Sequence, residues 1–283
     1  MPELPEIQAH AERLTDDYGG LELTGFRALS FTALKTFAPK PDDAFGDELT
    51  AVGRRGKYLL LELPSAWFVV HLMQGGRLKP DEKQAAKPRG GLARWIFEGN
   101  RALLLTEQGT EKKAGVWMVD ADPDLAPGTA VEPFVGLGPD ADTVTVDGLA
   151  ELLQSGSGRL HGFLRDQHKL AGLGRRLANE ICFQAKLSPF ANTKKLTGDE
   201  VTTLHDAIGV CIAESLAYER SRDDMSSSKE RPGNVHHRTG EACKVCGDDV
   251  RAVEYNAYTV NYCATCQTDG KVLADNTTSK FLK

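Results

Sequence analysis

The chain has 283 residues, of which 41% are hydrophobic, and a formal net charge of −6 at pH 7. This length is sufficient for two medium cores and a small module. No apolar run is long enough to span a bilayer and no secretory signal opens the chain, so we expect a cytoplasmic protein. The negative charge argues weakly against nucleic acid as a partner. However, Lys and Arg are absent between Val116 and Gly158, where acidic residues accumulate, so another face can still be positive.

The first part of the chain predicts one helix followed by strands. Apolar residues recur at helical spacing almost from residue 1, at Leu4, Ile7, Ala11 and Leu14. Apolar runs separated by turns predict the strands Lys57–Leu63, Trp67–Met73, Ala93–Glu98, Arg101–Thr106 and Gly115–Asp120. The pair Gly99–Asn100 is a two-residue hairpin signal. We therefore expect a β-sandwich or barrel with a flanking helix at residues 1–130.

The second part predicts helices after a segment rich in Pro, Gly and Asp, which we interpret as a linker at residues 131–147. Helical patterns begin at Leu149–Leu153 and cover Arg175–Lys186. Thr197 and Glu200 form a capping box before a longer helix, with the apolar stripe Val201, Leu204, Ile208, Ile212 and Leu216. We expect a helical domain at residues 148–235 and a cysteine module with a tail at residues 236–283. A polar loop at residues 221–241 spans the boundary between them, and we expect this loop to be mobile or ordered by a ligand.

The six cysteines fall into two groups. Cys182 and Cys211 lie in apolar helical patterns and are expected to be buried thiols. The other four form two C-x2-C pairs separated by 16 residues: Cys243, Cys246, Cys263 and Cys266. Two such pairs complete a tetrahedral zinc site, which is structural because protein fills all four positions. A redox dithiol is the alternative, although redox sites seldom carry two matched pairs. Val250–Tyr255 and Tyr258–Tyr262 are predicted to form a hairpin between the pairs. A ribbon of this kind binds DNA, RNA or protein.

The chain opens Met1-Pro2-Glu3-Leu4-Pro5-Glu6. Removal of Met1 would leave Pro2 with a free secondary amine, and an α-amino group has a pKa of about 7.7–8.0. Such an amine is a ready nucleophile that can form an iminium with a sugar C1′. Glu3 is a candidate general acid or base, and Glu6 lies on the same helical face. The alternative is ordinary helix capping, which also favours Pro and Glu at these positions.

Together the two ends resemble the formamidopyrimidine-DNA glycosylase and endonuclease VIII family, of which this chain would be a divergent bacterial member. The most specific part of the resemblance is Pro2-Glu3-Leu4-Pro5-Glu6. Internal segments match in the family's order: Arg54-Arg55-Gly56-Lys57-Tyr58-Leu59, Asp166-Gln167-His168-Lys169-Leu170-Ala171-Gly172-Leu173-Gly174, and Tyr262-Cys263-Ala264-Thr265-Cys266-Gln267.

The resemblance implies an α+β fold, with an N-terminal two-layer β-sandwich, flanking helices, and a C-terminal helix–two-turn–helix domain carrying one structural zinc ion. It implies a monomer that repairs double-stranded DNA containing a lesion or abasic site, in the nucleoid. Pro2 would attack C1′ of a flipped-out nucleotide and Glu3 would protonate the ring oxygen, with Glu6 retained beside it. β- and δ-elimination would then nick the strand. Lys57 would contact the phosphate near the lesion.

Several positions depart from the family pattern. Arg175, followed by Arg176, stands where the helix–two-turn–helix element usually has asparagine, and either could bind phosphate. Tyr258 stands where the finger usually has arginine, and packing of the ribbon is its alternative role. Ala114 replaces an aromatic wedge. The remaining DNA-contact candidates are Met73 and Gln74 in the void-filling loop, Lys112, Gln167 and Arg251. The candidates to replace the finger arginine are Arg251, His236, His237 and Arg175.

Two other functions stay open from the sequence. A lesion-sensing DNA-binding protein of the same fold would bind abasic DNA without turnover, and the lost finger arginine motivates it. A zinc-ribbon protein acting on RNA or on a protein partner is supported only by the ribbon and the acidic balance. A damaged base, expected to be oxidised, is the substrate class.

Overall fold

The computed structural model describes residues 1–109, 111–227, 230–255 and 258–273. The chain divides into two compact units, Met1–Leu137 and Gly138–Lys283, so the division falls inside the segment 131–147. The finer domain boundaries stay a prediction. Within the described residues, no helix is both long enough and apolar enough to cross a membrane.

The N-terminal unit begins with the predicted helix, α1 (Leu4–Tyr18). Its apolar face is buried, since Leu4, Ile7 and Leu14 are at most 2% exposed. Burial of side chains of this size stabilises the fold by about 1.5–3 kcal/mol each. This stripe explains why the helix could be predicted from spacing alone.

In the part of the N-terminal unit that the structure describes, eight strands form two antiparallel four-stranded sheets that pack as a sandwich. One sheet has the order β1 (Leu23–Ala28), β6 (Gly91–Phe97), β7 (Arg101–Glu107) and β5 (Gly76–Pro80). The other has the order β2 (Ala51–Arg55), β3 (Tyr58–Glu62), β4 (Ala66–His71) and β8 (Gly115–Asp120). The predicted sandwich is therefore confirmed. The strands β1, β2 and β5 were not predicted, because glycine or proline interrupts each short run and little alternation remains.

The two sheets meet through large aromatic side chains. The ring centroids of Phe68 and Trp95 are 5.7 Å apart with nearly perpendicular planes, and Phe26 lies 5.2 Å from each of them. Edge-to-face pairs of this kind add about 0.5–1.5 kcal/mol beyond their buried area. This core holds the ends of the strands, and the loops between them, in fixed positions.

In the described residues before the ribbon, the C-terminal unit contains four α-helices: α2 (Val146–Gln154), α3 (Leu160–Arg165), α4 (Arg175–Gln184) and α5 (Gly198–Arg220). The capping box at Thr197 and Glu200 is present as predicted. Of the predicted stripe on α5, Leu216 is only partly buried, whereas the other four residues are buried. Helix α3 was not predicted because six residues are too few to show a period.

The ribbon consists of β9 (Val250–Tyr255), β10 (Tyr258–Cys263) and the short helix α6 (Ala264–Gln267), which confirms the predicted hairpin. Cys182 and Cys211 are buried, as expected. In the described part of the loop at 221–241 there is no helix or strand, yet the buried Glu180 carboxylate accepts hydrogen bonds of 2.8–3.1 Å from the backbone N–H groups of residues 234–236. Tail residues 274–283 lie outside the described residues.

Candidate active site and metal centre

The first turn of α1 is closed by two buried glutamates. The Glu3 backbone N–H donates to Glu6 Oε2 at 3.1 Å, and the Glu3 carboxylate accepts from the Glu6 backbone N–H. Glu3 is 5% exposed and Glu6 is 4% exposed. Pro2 is also buried, while Met1 is 48% exposed. Burying carboxylates costs free energy unless they are hydrogen-bonded, and this reciprocal capping box supplies bonds for both.

The contacts of α1 show where its first turn lies. The Thr15 hydroxyl accepts from the Val52 backbone N–H at 2.8 Å, and Gln8 Oε1 accepts from Arg54 Nε at 2.9 Å. Going back along α1 therefore means going forward along β2. The start of the helix consequently points toward the turn at Gly56 and Lys57, which follows β2.

Lys57 is buried in that turn, at 7% exposed, and lies near His71 at the end of β4. Burial, and to a smaller degree the charge of Lys57, lowers the pKa of His71 to about 4. His71 is therefore neutral at physiological pH, and its Nδ1 accepts the Met73 backbone N–H at 3.0 Å. A neutral imidazole thus fixes the loop that follows β4 beside a buried lysine.

The loop from Leu72 to Gly75 is a tight turn. Met73 has φ +51°, and the Gly76 backbone N–H donates to the Leu72 carbonyl at 2.8 Å. A Cβ on Gly76 would lie only 2.3 Å from that carbonyl oxygen, so this position requires glycine. The turn leaves Gln74 exposed and Met73 half-buried. Of the two candidates for filling a void in DNA, Gln74 is the more accessible.

A second loop, from Gln108 to Ala114, is tied to the first by Glu107. This carboxylate is 4% exposed and accepts the backbone N–H groups of Lys113 at 2.6 Å and Ala114 at 2.8 Å. A Cβ on Gly75 would lie 3.4 Å from Glu107 Cγ, so the two loops pack together. Ala114 is buried and Lys112 is exposed, while residue 110 lies outside the described part.

Strand register brings these segments to one end of the unit. Tyr58 pairs with His71, and His71 pairs with Gly115, so the turn at Lys57 and both loops leave the same end of one sheet. Gly76 pairs with Glu107 in the other sheet at that end. Once Met1 is removed, this end would hold a proline amine, two carboxylates, a lysine and two loops that protrude. Such a set can bind a phosphate, supply a nucleophile and move a proton.

The four paired cysteines form a second centre, in the C-terminal unit. Their sulfurs all lie within 4.8 Å of one another, with Cys243 and Cys266 3.9 Å apart and Cys246 and Cys263 3.4 Å apart. Tetrahedral Zn–S bonds of about 2.3 Å would place sulfurs about 3.8 Å apart, so the spacing fits one metal ion. The cluster can therefore bind a metal.

Local hydrogen bonds hold the two knuckles in place. The Gly247 backbone N–H donates to the Cys243 carbonyl at 2.9 Å, and Gly247 has φ +79°. In the second knuckle the Cys263 backbone N–H donates to Gln267 Oε1 at 2.9 Å. Gln267 Nε2 in turn donates to the Leu187 carbonyl at 2.9 Å, which fastens the ribbon to the helical part of the unit.

Comparison with known proteins supplies the family. Residues 1–110 match the model of the formamidopyrimidine-DNA glycosylase N-terminal domain, and residues 135–227 match that of the formamidopyrimidine-DNA glycosylase H2TH domain. A formamidopyrimidine-DNA glycosylase from Chloroflexus aurantiacus is 30% identical over 279 residues, which covers 94% of this chain and 98% of that relative. The chain belongs to the formamidopyrimidine-DNA glycosylase family.

Further relatives agree with this assignment. An uncharacterized formamidopyrimidine-DNA glycosylase-like protein from Mycobacterium tuberculosis is 42% identical over 149 residues, which covers 52% of this chain and 94% of that protein. The fold matches the Lactococcus lactis Fpg solved with abasic-site DNA, with a TM-score of 0.81 at 21% identity, covering 94% of this chain and 99% of that one. The Thermus thermophilus MutM (Fpg) structure matches with a TM-score of 0.79 at 24% sequence identity, covering 94% of this chain and 98% of that one. The predicted family, fold class and class of enzyme are confirmed.

In this family member, two of the residues expected to contact DNA have structural bonds instead. Gln167 Nε2 donates to the carbonyls of Arg165 and Leu173 at 2.8 Å, and Gln167 Oε1 accepts from the Gly172 N–H at 3.1 Å. Arg176 is 4% exposed, and its Nη2 donates to the carbonyls of Arg231 at 2.6 Å and Pro232 at 2.8 Å. Both side chains therefore fix loops, because their polar groups face backbone. Arg175, the first residue of α4, is exposed.

Two of the candidates to replace the finger arginine, Arg251 and His236, are less suitable than the sequence suggested. Arg251 Nη2 lies 3.6 Å from Asp248 Oδ1, so its charge is already paired. Burial lowers the pKa of His236 to about 3, and its Nδ1 lies 2.9 Å from Asn179 Nδ2, so His236 is neutral. His237 is exposed beside it, with ring centroids 4.1 Å apart.

Proposed function

We propose that this chain is a base-excision repair glycosylase with abasic-site lyase activity, acting on double-stranded DNA that contains a damaged base. Family membership supports the class of enzyme. The observation that carries the residue roles is the placement of the α1 first turn, with Pro2, Glu3 and Glu6 buried, toward the end of the sandwich that also holds Lys57 and two loops.

The proposed reaction begins with the Pro2 amine, which is nucleophilic only after Met1 is removed. Its nitrogen lone pair attacks C1′, and the bond between C1′ and the damaged base breaks. The base leaves with the bonding electrons and takes up a proton, while the Pro2 nitrogen loses the proton that it carried as a secondary amine. Glu3 protonates the sugar ring oxygen, the ring opens, and an iminium links Pro2 to C1′. The iminium is the electron sink for the steps that follow.

Strand cleavage then follows by elimination. Loss of a proton from C2′ allows the phosphate on C3′ to leave, and a second elimination releases the phosphate on C5′. Water hydrolyses the iminium and frees Pro2. Because Glu6 donates no proton in this scheme and instead accepts the Glu3 backbone N–H, its proposed role is to hold Glu3 in position.

The neighbouring residues are proposed to hold the substrate. Lys57 binds the phosphate next to the extruded nucleotide, because a buried ammonium interacts more strongly with a phosphate than an exposed one does. Gln74 and Met73 fill the space that the nucleotide leaves, and Lys112 contacts the backbone. Ala114, being small and buried, cannot replace the aromatic wedge, so we assign no opposite-base preference.

In the C-terminal unit we propose that Cys243, Cys246, Cys263 and Cys266 bind one zinc ion, whose role is to hold the hairpin together. Arg175, exposed at the start of α4, is proposed to bind DNA phosphate through its guanidinium. The alternative function, a lesion sensor without turnover, is not favoured by the family assignment. It differs experimentally because it would be indifferent to the substitution Pro2→Gly.

Blocking the proline nitrogen tests the proposal. Two residues added before Pro2 would convert the amine into an amide, which has no nucleophilic lone pair, so nicking of an abasic duplex should fall below detection. The same two residues added at the C-terminus serve as the matched control and should leave nicking unchanged. Full nicking by the N-terminally extended protein would contradict the assignment of Pro2.

A further inference from the structure

Tyr258 stands in the ribbon between an aromatic ring and a guanidinium. Its ring lies parallel to that of Tyr255, with centroids 4.6 Å apart and planes 11° apart. The Cζ atom of Arg165, the last residue of α3, lies 4.0 Å from the Tyr258 centroid. The ring of His161, one turn earlier on α3, is nearly parallel to Tyr258 at 6.1 Å. We call Arg165, His161, Tyr258 and Tyr255 the ribbon stack.

The charge of Arg165 is not neutralised within the described part of the chain. No carboxylate there pairs with Arg165, and its Nη1 atom is buried without an acceptor. A guanidinium has five N–H donors in a planar fork that matches the oxygens of a phosphate. A buried donor without an acceptor calls for an explanation, and a ligand that accepts its hydrogen bond is one such explanation.

His161 gives a second, independent observation at the same place. It is 3% exposed, and its Nε2 atom has no hydrogen-bond partner among the described residues. Burial and the charges of Arg165 and Arg175 also lower the pKa of this histidine. The His161 ring therefore lies close to two arginines, Arg165 and Arg175, and Arg175 is exposed.

We propose that Arg165, held by cation–π contact with Tyr258, binds a phosphodiester of the DNA backbone. Tyr258 orients the guanidinium and limits its rotation, so that less conformational entropy is lost when a phosphate binds. Arg165 is then a DNA-binding residue and Tyr258 a positioning residue, since the ring acts through the arginine. The proposal rests on the function proposed above, because DNA is taken as the ligand.

The salt dependence of DNA binding tests this assignment. The probe is a duplex with a tetrahydrofuran abasic analogue, which the proline cannot attack in the same way, and binding to the full-length metal-loaded protein is followed by fluorescence anisotropy from 50 to 300 mM salt. The variant Arg165→Ala should bind about tenfold more weakly at low salt. Its plot of log K against log salt should be less steep by about 0.9, because one fewer phosphate is neutralised.

Matched variants separate the role of the ring from the role of the charge. Tyr258→Phe keeps the ring and should match the wild type, whereas Tyr258→Leu should lose part of the affinity, with a smaller change in slope than Arg165→Ala. Arg165→Lys should keep the slope and recover part of the affinity. Arg27→Ala removes the same charge from an exposed position on β1 and should leave the slope unchanged. Circular dichroism checks that each variant is folded.

Two results would overturn the proposal. One is an unchanged slope for folded Arg165→Ala or for Arg165→Gln, which keeps most of the side chain. The other is an equal effect of Arg165→Ala and Arg27→Ala. The function proposed above fails separately, since it predicts that Arg165→Ala still forms the borohydride-trapped complex at saturating protein. If the wild type formed no such complex but Arg165→Ala still changed the salt slope, the proposed reaction would be wrong and the proposed contact between Arg165 and a phosphate would stand.

Discussion

The metal centre and the proline site differ in how far along the chain their residues are gathered. All four cysteines fall between Cys243 and Cys266, on two knuckles joined by one hairpin. The proline site draws on segments from Pro2 to Ala114, which meet only because two sheets place their loops at one end. The spacing of the cysteines in the sequence is therefore enough to predict the geometry of the metal centre. The geometry of the proline site depends instead on strand register, which the sequence does not show directly.

Removing the metal should separate the two regions most strongly, because a structural zinc site contributes about 10–16 kcal/mol to folding. After chelation, backbone amides of β9 and β10 should lose protection from hydrogen exchange, while those of β3 and β4 keep it, and affinity for abasic DNA should fall at least tenfold. Hydrogen exchange with mass spectrometry measures this.

Cys211→Ala is the matched control, since this buried thiol lies outside the cluster and its loss should leave the metal content at one per chain. Equal loss of protection in β3 and β4 after chelation would show that the two regions are not independent in stability. Unchanged DNA affinity would show that the ribbon is dispensable for binding.

The substitution Glu3→Gln should next divide the activities of the proline site. General acid catalysis contributes about 10²–10⁴-fold, so excision of a damaged base should fall by that factor. Nicking of a preformed abasic site should keep a substantial fraction of its rate, because no base has to leave. Single-turnover kinetics on the two substrates give both rates.

Glu12→Gln is the control on the same helix, where Glu12 Oε1 accepts a hydrogen bond from Gln8 Nε2 at 2.9 Å. It should leave both rates unchanged. If Glu3→Gln lowered excision and nicking by the same factor, the separate role of Glu3 as an acid in base release would be wrong.

Acid should destabilise the C-terminal unit through its buried histidines. Burial holds the pKa of both His161 and His236 to about 3, below the ordinary value of 6.5. The unfolded chain therefore binds protons first as the pH falls below about 6.5, and each histidine lowers the free energy of unfolding by up to about 1.4 kcal/mol per pH unit. This loss continues until the folded pKa is reached.

The variant His161→Phe should flatten that dependence between pH 6.5 and 5. Urea unfolding followed by circular dichroism reports the helices, while tryptophan fluorescence reports only the N-terminal unit, where Trp67, Trp95 and Trp117 all lie. The weaker pH dependence of the free energy of unfolding should appear in the circular dichroism signal and be absent from the tryptophan fluorescence. An unaltered pH dependence in both would contradict the assignment of His161 as a buried neutral group.

The smallest effect is expected from Glu107→Gln, which weakens two hydrogen bonds to the loop before β8. Bonds to a charged acceptor contribute about 1.5–3 kcal/mol, and glutamine keeps one acceptor, so we expect a loss of about 1–2 kcal/mol and a few-fold weaker DNA binding. Glu111→Gln, on an exposed glutamate of the same loop, is the control. If the two substitutions had equal effects on stability and on DNA binding, the assignment of Glu107 to the site would be wrong.

At the proline site, the sequence identified the candidate reactive residues but not the polar residues that hold the surrounding loops. Pro2, Glu3 and Lys57 stand in recognisable patterns, but Glu107 and His71 do not, because each is an isolated polar residue at the end of an apolar strand. Their roles follow from contacts with Ala114 and Met73, which depend on the fold. The strands β1, β2 and β5 were missed for a similar reason, since neighbouring strands stabilise them more than their own composition does.

In the C-terminal unit, the sequence showed which positions depart from the family pattern but not which residues compensate for those departures. Tyr258 could be identified as a departure at the position of the finger arginine. Arg165, whose guanidinium covers the tyrosine ring, comes from a helix too short to be predicted. Arg176 looked like a phosphate ligand because it follows Arg175, yet the phase of α4 turns it inward onto backbone carbonyls.

The most direct test of the proline mechanism is to locate the covalent bond. Protein without Met1 should be incubated with abasic duplex and borohydride, which reduces an iminium to a stable amine, and the crosslinked peptide should be sequenced by tandem mass spectrometry. We predict a deoxyribose remnant on the nitrogen of Pro2. A remnant on a lysine such as Lys57, or no crosslink from protein that nicks the same duplex, would contradict it.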